Sequence, residues 1–227
     1  MKKLLLVLFS LVLMIMPFIT RISNDSSETD AAKLHRHSKY TVVIDAGHGG
    51  KDAGTIGIDG TMEKGINLSI ALTLYDYLRV CGIDAVLVRN GDFEIYGERE
   101  IRDHSDLYNR LDFVNSIENS MLISIHQNHF ENEREWGCQI WYSPNDESSK
   151  VIADKALNSV KELLQPNNQR ENKVSGSDYY ILYKASVPSI MIECGFMSNA
   201  KENELLKTPD YQKNFAFAVT AGICGEV

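Results

Sequence analysis

The sequence predicts a single α/β domain, built on a mostly parallel, twisted sheet of about six strands with helices on both faces. Three observations point there. Short apolar runs rich in β-formers alternate with stretches whose apolar residues recur at helical spacing, the pattern of strand–helix–strand units. Several of those runs, such as TVVIDA from Thr41 and MLISI from Met121, are apolar along their length, as strands covered on both faces must be. The chain has 227 residues and 44% hydrophobic content, enough for one sizeable core.

In chain order, residues 1–21, MKKLLLVLFSLVLMIMPFITR, read as a signal peptide or signal anchor. Lys2 and Lys3 form a basic start, and the stretch from Leu4 to Thr20 has only Ser10 and Thr20 as polar members. No small-x-small cleavage site follows, which favours an uncleaved anchor, although the length is marginal for spanning and Pro17 lies inside it. Either form predicts export, with membrane contact only through this segment. Residues 22–39 are polar and aperiodic, the signature of a linker. The domain then runs over 40–227, with no internal repeat.

Residues 41–46 form the first expected strand. Ile66, Ile70, Leu74 and Leu78 share one face of an expected helix over 62–80. A strand over 83–88 follows, then a short helix over 107–117 with Leu111 and Val114 on one face. Strands are expected at 121–126 and 139–142, an amphipathic helix at 151–164, strands at 179–183 and 189–193, and a closing helix at 210–223.

Composition excludes some partners. Lys and Arg total 23 against 31 Asp and Glu, a net charge of −8, which disfavours a nucleic-acid ligand. Cys81, Cys138, Cys194 and Cys224 form no CxxC pair, so there is no zinc–cysteine signature. An even count outside the cytoplasm permits disulfides without requiring them. Cys81 and Cys138 read as small buried hydrophobes.

The glycine cluster in TVVIDAGHGGKDAG decides the chemistry. A phosphate-cradling Walker loop fails, because Gly50-Lys51 is followed by Asp52 and the first required glycine is missing. The dinucleotide pattern fails at Asp52 as well. What remains is a turn at the carboxyl end of a strand, carrying His48. Ligands bind at that edge of open α/β sheets.

Other ionisable groups fall at the same edge. His126 ends one apolar strand, Glu193 ends another, and Glu63 lies in the first turn of the long helix. Such groups at strand ends are costly unless paired, exposed or bound to metal. Two histidines and a carboxylate around an open fourth position make a zinc-hydrolase arrangement, and the other carboxylate is then free to act as general base. The HExxH pattern, in which one helix supplies both histidines, is absent. Plainer roles stay open for each residue: a hydrogen-bonded rim histidine, a Glu63 that favours the helix dipole, a Glu193 that caps a turn.

Taken in order, IDAGHGGKDAG, EK with NL shortly after, SIHQN and IECGFMSN resemble the zinc-dependent N-acetylmuramoyl-L-alanine amidases of the type-3 family, over residues 41–223. The resemblance implies that His48, Glu63 and His126 bind one zinc ion and that Glu193 is the catalytic glutamate. It implies hydrolysis of the amide between N-acetylmuramic acid and the L-alanine of the peptidoglycan stem peptide. The compact domain, the export segment and the lack of wall-binding repeats look most like the germination-specific members that act on spore cortex. That implies a place at the developing spore envelope.

Some positions depart from the pattern. Gln127 stands where alanine is frequent, and His129 follows closely. His129 competes with His126 as a ligand; on a continuing strand the two positions point to opposite faces, so only one can serve, and the resemblance implies His126. Cys194 replaces a small residue and reads as packing. His35 and His37 belong to the linker, and His104 has no evident partner. Asn67, one turn after Glu63, either supports that carboxylate or is a surface or capping amide. No room exists between Cys138 and Glu193 for an extra long helix to block the site. Restraint is therefore expected from timing, from substrate form or from a separate activator protein. Two rival readings are a non-catalytic wall-binding scaffold and another zinc hydrolase of the wall, a peptidase or deacetylase.

Overall fold

The computed structural model describes residues 38–96 and 105–227. The export segment, most of the linker, and His35, His37 and His104 lie outside the described residues.

Strand β1 (Thr41–Ala46) leads through the glycine-rich loop into helix α1 (Glu63–Val80). Next come β2 (Ala85–Leu87), α2 (Ser105–Asn115), β3 (Ser120–Asn128), β4 (Gln139–Tyr142) and α3 (Glu147–Leu163). The chain closes with β5 (Lys173–Val174), α4 (Tyr180–Lys184), β6 (Ser189–Phe196), α5 (Ala200–Leu206) and α6 (Pro209–Ile223). These strands make one six-stranded sheet in the order β2-β1-β3-β6-β4-β5. The central pairs β1–β2, β1–β3 and β3–β6 are parallel, whereas β4 runs antiparallel to β6 and carries β5 in parallel with itself. The expected fold class is the observed one.

Alternation along each strand builds two cores. Val42, Ile44, Ile123, Ile125, Ile190 and Ile192 face α1, α3 and α6. Val43, Leu122 and Met191 face the other way, into a smaller cluster with residues of α2 and α4. Ile66, Ile70, Leu74 and Leu78 of α1 are all buried, as their spacing predicts. Each contributes roughly 1.5–3 kcal/mol by leaving water. Helix α1 stops where the N–H of Cys81 bonds to Tyr77 and Gly82 turns left-handed at φ 77. The smaller core covers less of its face, and the candidate site lies at the strand ends on that side.

Three expectations need correction. Residues 179–183 are not a strand; Tyr180–Lys184 is a short helix. The N–H groups of Tyr183 and Ala185 bond back to the carbonyls of Tyr179 and Ile181, the spacing of a helical turn, and Ile181 and Leu182 are both buried. Two elements were not foreseen, β5 in the polar loop and α5. Asn199 caps α5 by accepting from the N–H groups of Lys201 and Glu202. Finally, Cys138 is buried but Cys81 is exposed, because it caps α1 on the surface rather than lying inside its apolar face.

Candidate metal centre

His48, Glu63 and His126 converge. Each offers one ligand atom, and those atoms all lie within 4.8 Å of one another. His48 comes from the loop after β1, Glu63 from the first turn of α1, and His126 from the end of β3. His48 Nε2 stands 3.3 Å from Glu63 Oε2, and His126 Nδ1 stands 3.1 Å from Glu63 Oε1. Two imidazoles and a carboxylate with room for a fourth ligand form a donor set that suits zinc.

The glycines have a definite purpose. A Cβ on Gly47 would come within 2.2 Å of the His126 ring. One on Gly54 would meet His48 at 2.6 Å and Glu63 at 2.7 Å, and Gly54 is left-handed at φ +66. The backbone therefore presses flat against the His48 and His126 rings. His48 itself has φ 64, a conformation that costs a non-glycine residue of order 1–3 kcal/mol.

Two buried arginines hold that loop. Arg89 donates to the carbonyls of Ala46 at 2.7 Å, Gly47 at 3.0 Å and Lys64 at 2.9 Å. Arg110 donates to Ala46 O at 2.8 Å, to His48 O at 2.6 Å and to the buried Asp45 carboxylate at 2.6 Å. Ser124 completes the pair by donating to Asp45 at 2.8 Å. Burial opposes ionisation of Asp45, but Arg110, His126 and Ser124 outweigh it and hold its pKa below the ordinary value. Removing one partner from such a pair leaves an unpaired buried charge, which costs about 3–5 kcal/mol.

His48 and Glu63 are both oriented from behind. His48 Nδ1 lies 2.7 Å from Asp52 Oδ2, and Asp52 also accepts from the Gly54 N–H at 3.0 Å. A proton held on Nδ1 leaves Nε2 to face a metal. Glu63 accepts from the N–H of Thr55 at 2.8 Å, the N–H of Gln127 at 2.9 Å and Asn67 Nδ2 at 3.1 Å. Asn67 is fully buried, so it is no surface amide; it also donates to Gly47 O and accepts from Gln127 Nε2 at 3.0 Å. Burial opposes charge on Glu63, yet bonding from His126 and His48 holds its carboxyl well below the usual range. Burial likewise opposes the His48 imidazolium, and Glu63 and Asp52 overcome it, holding its pKa up to about 9. A metal ion taken up near neutral pH must therefore displace a proton from this imidazole.

Glu193 stands beside His126, its register partner across β3 and β6. Its Oε2 is buried and has no hydrogen-bond partner among the described residues. Burial, with Glu63 adding to it and the two histidines opposing it, raises its pKa to about 7. His129 is exposed beyond the end of β3 and lies outside the ligand group. Cys194 is fully buried on the opposite face, in the larger core.

Sequence reading gave no role at the site to Asp52, Gln127, Arg89 or the Asp45–Arg110 pair. One signal was available: Asp45 is a charge inside an otherwise apolar strand, and such a charge needs a buried partner.

Comparison with known proteins agrees with the fold and with the family resemblance. A solved structure, the CwlD amidase from Clostridioides difficile in complex with the GerS lipoprotein, is 36% identical, with a TM-score of 0.76, over 81% of this chain and 96% of that one. The amidase AmiC2 of Nostoc punctiforme is 29% identical, with a TM-score of 0.70, over 82% of this chain and 96% of that one. The germination-specific N-acetylmuramoyl-L-alanine amidase of Bacillus subtilis is 28% identical over 186 residues, 80% of this chain and 77% of its own length. A family model described as N-acetylmuramoyl-L-alanine amidase matches residues 42–225, nearly the whole described domain. With the fold, the ordered motifs and this match in agreement, the chain belongs to the N-acetylmuramoyl-L-alanine amidase family, the type-3 peptidoglycan amidases.

Proposed function

We propose that His48, Glu63 and His126 hold a single zinc ion and that Glu193 carries the proton in amide hydrolysis. The observation behind this reading is the convergence of three ligand atoms beside a buried carboxylate oxygen that has no partner. When bound, zinc supplies Lewis-acid chemistry that makes water acidic near neutral pH and stabilises negative charge on a carbonyl oxygen. The chain's own residues do the rest. Glu193, with a pKa near neutrality, takes a proton as the water oxygen adds to the lactyl carbonyl carbon. The carbon–nitrogen bond then breaks, and Glu193 returns the proton to the departing amine. The products are a free muramic acid carboxylate and a stem peptide with L-alanine at its amino end. Asp52 orients His48, and Asn67 and Gln127 fix Glu63.

The setting we infer is the spore cortex, at the envelope of the developing spore. Support comes from the germination-specific amidase of Bacillus subtilis and from the C. difficile amidase solved with a lipoprotein. A protein activator of similar kind is part of the reading. Among the described residues no helix is long and apolar enough to cross a membrane. Export is assigned to residues 1–21, with 22–39 as linker and 40–227 as the catalytic domain.

The test is product analysis by mass spectrometry of isolated cortex and vegetative wall treated with the purified, zinc-equilibrated protein. Stem peptides with a free L-alanine amino group support the amidase. Acetate release would mean a deacetylase, and shortened stems a peptidase. Folded, zinc-loaded protein that binds wall without releasing anything would mean a scaffold.

A further inference from the structure

Two recesses share a wall at the candidate site. One, about 740 Å³, is bordered by His48, His126, Asp45, Arg110 and Tyr179. The other, about 350 Å³, is bordered by Glu193, Trp141, Arg170, Lys173, Phe196 and Tyr179. The histidines border only the first, and Glu193 only the second. Tyr179 borders both, with its ring 4.5 Å from that of Trp141.

This asymmetry orients the substrate. In the reaction above, Glu193 delivers its proton to the nitrogen that leaves, and that nitrogen belongs to the peptide. The departing half must therefore lie on the side that Glu193 borders. The acyl half, with its sugar, lies on the side of the histidines. The charges of the smaller recess fit this arrangement. The Arg170 guanidinium is already committed: it sits 4.4 Å over the Phe196 ring, donates to Trp136 O at 2.7 Å and pairs with Glu135. Lys173 has its ammonium 5.2 Å over the Trp141 ring and forms no ion pair among the described residues. It is the uncommitted cation of the recess. At 350 Å³ the space is at the small end of ligand sites, enough for a short peptide segment rather than a whole stem.

We propose that the recess beyond Glu193 is the subsite for the leaving stem peptide, and that Lys173 recognises a carboxylate of that peptide over the Trp141–Tyr179 platform. The proposal rests on the amidase reading and on the role given there to Glu193.

The test is isothermal titration of the zinc-equilibrated full chain with L-alanyl-D-glutamate and with its diamide. The wild type is expected to prefer the acidic peptide roughly five- to tenfold, the range of one partly exposed charge-assisted contact. Lys173→Gln should abolish that preference, and Lys173→Arg should keep most of it. In turnover of muropeptides, the loss in Lys173→Gln should fall on KM for acidic stems and not on kcat. Equal wild-type affinity for the two peptides, or an undiminished preference in Lys173→Gln, overturns the proposal. The amidase reading survives that result if L-alanine-terminated peptides are still released. A wild type that discriminates between the peptides yet releases none from muropeptides overturns the amidase reading and, with it, the leaving-peptide assignment, leaving only an acidic-peptide contact at Lys173.

Discussion

His126 and Glu193 occupy matched positions on two neighbouring parallel strands, β3 and β6. Matched residues of a parallel pair share a face of the sheet, so the imidazole and the carboxylate emerge side by side. Among the described residues that face is covered by the smaller core with α2 and α4. The sheet thus brings His126 and Glu193 together, although they lie far apart in the sequence. His48 and Glu63 approach this pair from the loop after β1 and from the start of α1.

Asp52 fixes His48 through Nδ1, at 2.7 Å. Replacing it with Asn keeps the shape but removes the charge that holds the imidazole in one tautomer. Metal affinity should fall about 10- to 100-fold, the usual cost of losing such a support, while thermal stability changes little. Competition with a chromogenic zinc chelator measures it. Unchanged affinity would mean that the loop alone orients the ring.

Gly47 lies against the His126 ring, and an added methyl would overlap it at 2.2 Å. Gly47→Ala is therefore expected to displace the ring and lower both zinc content and peptide release at least tenfold. The fold should persist, since Gly47 lies beyond the end of β1. Circular dichroism alongside metal analysis separates these effects, and native zinc content in the alanine variant would refute the close-approach argument.

Glu193 gives a pH signature without metal. Its pKa moves from the ordinary 4.5 to about 7 in the folded protein. The neutral form is the one the fold favours. Its contribution is complete below about pH 4.5 and is lost as pH rises through about 7. A shift of about 2.5 units corresponds to about 3 kcal/mol lost across that window. Glu193→Gln cannot titrate, so its stability relative to the wild type should climb between those pH values and then level off. Urea unfolding of chelator-stripped protein at several pH values checks this; parallel profiles would contradict it.

Much of this was legible in the sequence, for physical reasons. Runs such as MLISI announce strands because a doubly covered sheet leaves no polar alternation. Ile66, Ile70, Leu74 and Leu78 mark α1 because one face of a helix must be apolar. YYILY misleads because aromatic and β-branched residues favour strands, yet tertiary packing buries Ile181 and Leu182 together and makes a helix. His48, Glu63, His126 and Glu193 were picked out by their place at one sheet edge and by their motifs, and the fold brings His48, Glu63 and His126 together. Asp52, Gln127 and the two arginines were given no role, because their roles exist only after the loop has folded back on itself. Lys173 was equally hidden, since β5 is only two residues long and sits in a polar loop.

The central claim is that His48, Glu63 and His126 form one metal site while Glu193 acts only on protons. Zinc per chain, measured by mass spectrometry after equilibration with micromolar zinc and gel filtration, tests it most directly. One zinc is expected in the wild type and in Glu193→Gln, and almost none in His126→Ala. Stoichiometric zinc in His126→Ala, or its loss in Glu193→Gln, would contradict the account.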